Sequence, residues 1–257
     1  MQRALSVLLV GMSFVFGYSI PAVGQTSGFE ELVTDRPDFT ESGVVVPRGS
    51  FQVEGGLTWE RSAHEIRSAS GPELLIRWGF MRQMELRIGL PNYVDLRNHE
   101  NDSGFGDSSI GTKLELGPIG GEWDLAGIVS VSLPTGGAGF SSDDWDPAVI
   151  IATARGLGGS WSLGSQVFAE SVTRVGDREF FWGGTVVFGA SLGSQSATGA
   201  FLELAATFPE EGVASVSIHH GYTHLLTKTL QLDIHGGAGL TESAPDLFIG
   251  AGTSFRR

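Results

Sequence analysis

The sequence predicts an all-β fold: a transmembrane antiparallel up-and-down β-barrel of about 12 strands, preceded by an N-terminal signal peptide. Three observations lead there. Glycine is abundant among β-forming residues, polar and apolar residues alternate over long stretches, and the connections take turns being short and long. The 38 glycines show no collagen-like period and lie among Val, Phe, Leu, Thr and Trp, in a chain poor in Ala-Leu-Lys-Glu runs.

The first segment reads as a targeting signal. Met1 to Arg3 make a short basic start, Ala4 to Ile20 an apolar run, and Ala22-Val23-Gly24 a small-residue exit, which places cleavage before Gln25. A membrane anchor is the alternative, since the run is close to ~18 residues. The polar Gln25-Thr26-Ser27 that follows favours cleavage. The expected division is therefore 1–24 signal peptide, 25–48 N-terminal periplasmic or plug segment, and 49–257 outer-membrane barrel. Cleavage leaves 233 of the 257 residues and removes Arg3, so the formal charge moves from −13 to −14. Such an acidic chain is a poor partner for nucleic acid. Cysteine is absent, which excludes a disulfide-stapled secreted scaffold. No later run approaches the length of a membrane helix, so a membrane would be crossed by strands.

Ser50 to Arg61 is the clearest strand. Phe51, Val53, Gly55, Leu57 and Trp59 share one face, and Gln52, Glu54, Gly56, Thr58 and Glu60 the other. Similar alternation recurs from Met84 to Leu90, Ser109 to Leu116, Trp123 to Leu133 and Leu230 to His235. Twelve strands are expected at 50–61, 72–79, 84–94, 106–116, 123–133, 146–155, 161–173, 180–192, 200–208, 213–225, 230–238 and 247–256. Soluble sandwiches also alternate, but two features favour a membrane barrel. Short connections at 79–83, 117–122, 156–160, 193–199 and 226–229 take turns with longer polar ones at 62–71, 95–105, 134–145, 175–179, 209–212 and 239–246. Trp59, Trp78, Trp123, Trp161 and Trp182 fall near the expected strand ends, where an aromatic girdle meets headgroups. Phe51, Val53, Leu57, Met84, Leu86, Ile88, Leu125, Val129 and Leu232 are expected to face lipid.

Leu32-Val-Thr-Asp-Arg-Pro-Asp-Phe-Thr-Glu-Ser42 followed by Phe51-Gln-Val-Glu-Gly-Gly56 resembles the start of the meta-pathway phenol-degradation family of outer-membrane transporter-like β-barrels. Pro72 to Arg77 running into Met84-Glu-Leu-Arg87, Leu133-Pro-Thr-Gly136, and Pro245 to Gly252 extend the likeness over the mature chain. The resemblance implies passage of small, hydrophobic or aromatic, molecules and carries no catalytic residues. Such barrels commonly end on an aromatic residue; here Phe255 is followed by Arg256-Arg257.

Inward-facing charges are the most informative chemistry. Face-consistent hairpins set Glu54 opposite Arg77, Arg77 opposite Glu85, and Glu85 near Lys113. With Arg87, Asp233 and His235 these form the expected lumen lining, which either selects solutes or simply pairs buried charge. Asp35, Arg36, Asp38 and Phe39 lie before the first strand in a stretch without alternation, where Pro37 and Pro47 oppose regular structure. That stretch is either a free periplasmic lead or a plug, in which Arg36 pairs with a lumenal acid such as Glu54 or Glu85 while Phe39 covers an apolar patch.

His219 and His235 face each other if their turn centres on Thr227, yet two imidazoles make a poor zinc site, and His220 and His224 fall outside it. Asp143-Asp144-Trp145-Asp146 lacks the spacing of a calcium loop. Ser215 and Ser217 near His219 raise a lipid hydrolase, but no motif fixes a triad. No cofactor, metal or catalytic residue is assigned. The implied partners are outer-membrane lipid and a small-molecule solute, with a non-conducting structural barrel as the further alternative.

Overall fold

A computed structural model describes residues 32–62, 66–98, 102–174, 176–192 and 197–257, so the expected signal peptide lies outside the described residues. Fifteen strands follow one another: β1 Phe51–Arg61, β2 Arg67–Gly71, β3 Leu75–Met81, β4 Met84–Gly89, β5 Tyr93–Arg97, β6 Asp102–Phe105, β7 Ser108–Glu115, β8 Asp124–Leu133, β9 Asp146–Gly158, β10 Trp161–Arg174, β11 Asp177–Ser191, β12 Thr198–Pro209, β13 Ser215–Thr227, β14 Leu230–Gly239 and β15 Leu247–Arg256. They make twelve antiparallel staves. β2 with β3, β4 with β5, and β6 with β7 are each one stave broken by a bend, because β1 pairs with β2 and β3, β2 with β5, β3 with β4, β4 with β7 and β5 with β6. Every other stave pairs with its neighbours in sequence, and β15 pairs with β1 from Gln52↔Arg256 to Arg61↔Leu247. This pairing of the last stave with the first closes the sheet into a barrel, with β6 paired on one side only, to β5.

The staves differ from the expected strands where alternation is muted. Ser68, Ser70, Asp95 and Ser103 give β2, β5 and β6 little apolar period, so residues 67–71, 95–97 and 102–105 read as loop but pair as sheet. Most of the expected 175–179 loop is strand: Arg174 pairs with Asp177, and Glu179 is already in β11. Trp182 consequently lies well inside β11 rather than at its end, stacked on Phe208 of β12 with centroids 4.4 Å apart.

Burial alternates along each stave. In β11, Phe181, Gly183, Thr185 and Val187 face inward while Trp182, Val186 and Phe188 are exposed. None of the nine residues expected to face lipid is buried; Leu57 and Val129 are 65% and 57% exposed. Ile151, Val167, Leu204, Ile234 and Ile249 continue this apolar belt around the wall. Water does not tolerate so continuous an apolar surface on a monomer, and lipid does. Aromatic side chains mark both margins of the belt. Phe51 and Trp78 stack at 5.5 Å near the rim that carries the termini, and Tyr93 meets Phe105 edge-on at 5.2 Å near the other.

Replacing Val129 by Arg at the middle of β8 is expected to cost about 2–4 kcal/mol of folding stability in lipid vesicles. Equilibrium unfolding in denaturant, followed by tryptophan fluorescence, measures it.

Candidate functional site

Pro37 and Pro47 deny the segment before β1 a regular ladder. It does not hang free. Leu32, Thr34, Asp35, Arg36, Asp38, Thr40, Glu41, Ser42 and Val46 are all buried, and their partners come from staves all around the barrel. The chain starts beside the terminal rim, where the Gln52 and Gln231 amides donate to Val33 O and Thr34 Oγ1 at 2.7 and 3.0 Å. It crosses to β10–β12, returns along β3, β4 and β7, and leaves at Gly49, whose N–H donates to Gly79 O at 2.6 Å. Residues 32–48 are a loop folded into the lumen.

One end of this loop sits in an ionic cluster. Lys113 Nζ lies 2.9 Å from Asp35 Oδ1, and Arg77 Nη1 lies 3.0 Å from Asp35 Oδ2, which Arg87 also contacts. Arg87 Nη2 and Lys113 Nζ reach Glu41 at 2.8 and 3.1 Å. The wall contributes its own acids: Arg77 pairs with Glu54 and Glu85 at 2.8 Å each, and Arg87 with Glu85 at 3.0 Å. Burial alone would raise the Asp35 carboxyl, but Arg77, Lys113 and Arg87 outweigh it and hold it well below the usual carboxylate range. Glu41 goes the other way. Burial, reinforced by the neighbouring Asp35, pushes it up to about 7 against the pull of Arg87 and Lys113.

Arg36 points to another wall. Its guanidinium bonds Glu73 at 2.7 Å and Asp233 at 3.2 Å, not Glu54 or Glu85 as the sequence suggested. Those two acids are already engaged by Arg77, while Gly56 and Gly252 open a recess for Arg36. The two glycines pair directly across β1 and β15, and a Cβ on either would lie against the guanidinium.

The far side of the loop rests on Glu203. That carboxylate accepts from Phe39 N at 2.8 Å and Thr40 Oγ1 at 2.6 Å, and contacts His219 Nδ1 at 2.9 Å. His219 Nε2 in turn meets His235 Nδ1 at 3.0 Å. The Phe39 ring lies 4.4 Å from that of His219 and 5.7 Å from that of Phe248. His220 and His224 face outward and are exposed. Asp144 and Asp146 accept from Arg178 and from Thr173.

Glu54, Arg77, Glu85, Arg87, Lys113, Asp233 and His235 are thus all buried on the inner side of the wall. The expected registers are two residues out: Arg77 stands opposite Gln52 and Arg87, while Glu85 does oppose Lys113. His235 stands opposite Gly221 and is only diagonal to His219, since the turn centres later than Thr227. Glu41 on the loop was not singled out from sequence, nor were the loop's wall partners Glu73, Gln166 and Glu203. Inward parity in β12 marks Glu203, but nothing local marks Glu73, which interrupts its stave at φ 48°.

No curated protein matches the chain. Among solved structures, the COG4313 outer membrane channel from Pseudomonas putida F1 aligns with a TM-score of 0.61 at 13% identity, over 84% of this chain and 98% of that one. The NanC porin aligns at 0.56 and 10% identity, over 80% and 98%. The beta domain of the Bordetella autotransporter Brka aligns at 0.52 and 12% identity, over 80% and 98%. At these identities the likeness is one of fold. Together with the lipid-facing belt and the closed ladder, that fold makes this a barrel of the bacterial outer membrane. The profile of the family described as "Putative MetA-pathway of phenol degradation" matches residues 34–256, inner loop and barrel alike, and the chain belongs to that family.

Proposed function

We propose that the chain is a conduit for small molecules, hydrophobic or aromatic ones among them, across the outer membrane, and that residues 32–48 are its plug. The observation that carries this reading is the loop itself, which fills the lumen from the terminal rim and is held there by side chains. Glu54, Arg77, Glu85, Arg87, Lys113, Asp233 and His235 are the lumenal lining in this reading. Apolar solutes are supported by a second inner surface, where Ala126, Ile128, Ala148, Ile150, Ala152 and Val187 carry no charge, and by the phenol-degradation description of the family. The partners are outer-membrane lipid and the solute, and the chain's formal charge of −13 disfavours nucleic acid.

Planar-bilayer recording tests the plug. Deleting residues 25–41, or replacing Arg36 by Ala, should raise single-channel conductance or open time while the barrel still migrates as a folded, heat-modifiable band. Unchanged conductance in a well-inserted variant would falsify it.

Closure should also depend on pH. Between the ordinary glutamate value of 4.5 and about 7, the docked loop keeps a proton on Glu41 that the free loop releases, so acid favours docking and docking weakens as pH rises through about 7. Asp35 acts oppositely and lower: its depressed value stabilises docking above the ordinary aspartate range and loses that effect as pH falls through it. Conductance should therefore be larger at about pH 8 than at about pH 5.5, and Glu41→Gln should flatten the difference.

A further inference from the structure

Asp35 and Glu41 belong to the loop, but the cations that hold them belong to the wall. Asp35 is oversubscribed: Lys113 Nζ reaches its two oxygens at 2.9 and 3.0 Å, Arg77 and Arg87 share Oδ2, and the Ser42 amide donates to Oδ1 at 3.1 Å. Glu41 divides its oxygens between Arg87 and Lys113. From the wall, Glu54 and Glu85 also pair with Arg77, and Glu85 with Arg87. Withdrawing the loop thus takes from these three cations the carboxylates of Asp35 and Glu41, two of the four they contact.

We propose that Arg77, Arg87 and Lys113 form a binding site for an organic carboxylate solute, and that Asp35 and Glu41 occupy it in the closed barrel. The inference rests on the reading of residues 32–48 as a plug. Solute and plug then compete for the same cations. Opening an empty barrel strips buried cations of their partners, which is costly. Opening with a carboxylate in place exchanges one charge-assisted set of hydrogen bonds for another. A ligand that binds only the unplugged barrel must shift the population towards it. Two separate carboxylates are to be replaced, so a dicarboxylate fits better than a monocarboxylate. The guanidinium forks of Arg77 and Arg87 favour planar carboxylates over a spherical anion such as chloride.

The test uses the full chain in vesicles at about pH 8, where an exposed carboxylate is fully ionised. The protein has no cysteine, so Val46→Cys provides a single, nearly isosteric reporter on a buried loop residue. Its reaction with a bulky impermeant maleimide reads how often the loop leaves the lumen. Sodium succinate at about ten times its dissociation constant should speed labelling roughly tenfold. Succinamide, and sodium chloride at equal ionic strength, should not. A rate that succinate changes no more than chloride does, including no labelling at all, overturns the proposal. Lys113→Gln in the same background should abolish the succinate increment, and an increment that survives counts against the site. The succinate–succinamide comparison stands whether or not that variant folds. Conductance separates the two readings. Raised conductance in Arg36→Ala with no succinate response leaves the plug and removes the carboxylate site. Unchanged conductance with a clear succinate response does the reverse.

Discussion

Everything inside this barrel depends on pairing charge where water is scarce. Eight staves are already just filled by their own side chains, whereas twelve enclose more space than theirs occupy. The inner face of β3, β4 and β7 carries Arg77, Arg87 and Lys113, and burying them unpaired would cost several kcal/mol each. Glu54 and Glu85 answer part of that demand. Asp35 and Glu41 answer the rest, and they arrive from outside the sheet. The same loop that fills the volume completes the charge balance, so the wall's chemistry and its occupant are one design problem.

The loop's two ionic contacts with the wall use different physics. At the cationic wall the interaction is dense and shared, with Asp35 and Glu41 each touching more than one cation. At β1 and β15 it is steric as well as ionic. Gly56 and Gly252 forgo side chains on the inner face, which lets Arg36 lie against the sheet backbone and reach Glu73 and Asp233 at once. Between them, Phe39 meets the rings of His219 and Phe248 while its amide is tied to Glu203. An apolar contact and a polar one thus fix the same residue, and either alone would leave it free to turn.

Much of the wall was legible because a membrane strand repeats its instruction every second residue. Ser50 to Arg61 announces β1, and twelve staves were countable from such runs. What muted the signal was polar pairing: β2, β5 and β6 are joined through Ser, Asp and Gly, whose period is invisible to hydrophobicity. Register was harder still. A slip of two keeps every side chain on its face, so Arg77 could be placed inside correctly but not opposite its true neighbours. The ion pairs formed nonetheless, because long side chains span a diagonal as well as a rung. The partners of the loop were the least legible part. Phe39 and Glu203 are 164 residues apart, and Arg36 meets Asp233 across 197. Distances of that kind are set by closure of the whole barrel, which no local pattern encodes.

The way the loop is bonded is compatible with the proposed opening. A segment added to a sheet edge exchanges main-chain hydrogen bonds along its length and is held as firmly as a strand. Here the amides of residues 35, 39, 41, 45 and 46 donate instead to the side chains of Glu54, Glu203, Gln166, Glu115 and Glu85. Side-chain acceptors can turn to water or to another donor when the loop withdraws, and the sheet behind them keeps its own ladder intact. The prolines that stop the segment from becoming a thirteenth strand serve the same end. Docking through side chains satisfies buried amides without fusing loop to wall, so a well-packed loop and the withdrawal proposed for it are physically compatible.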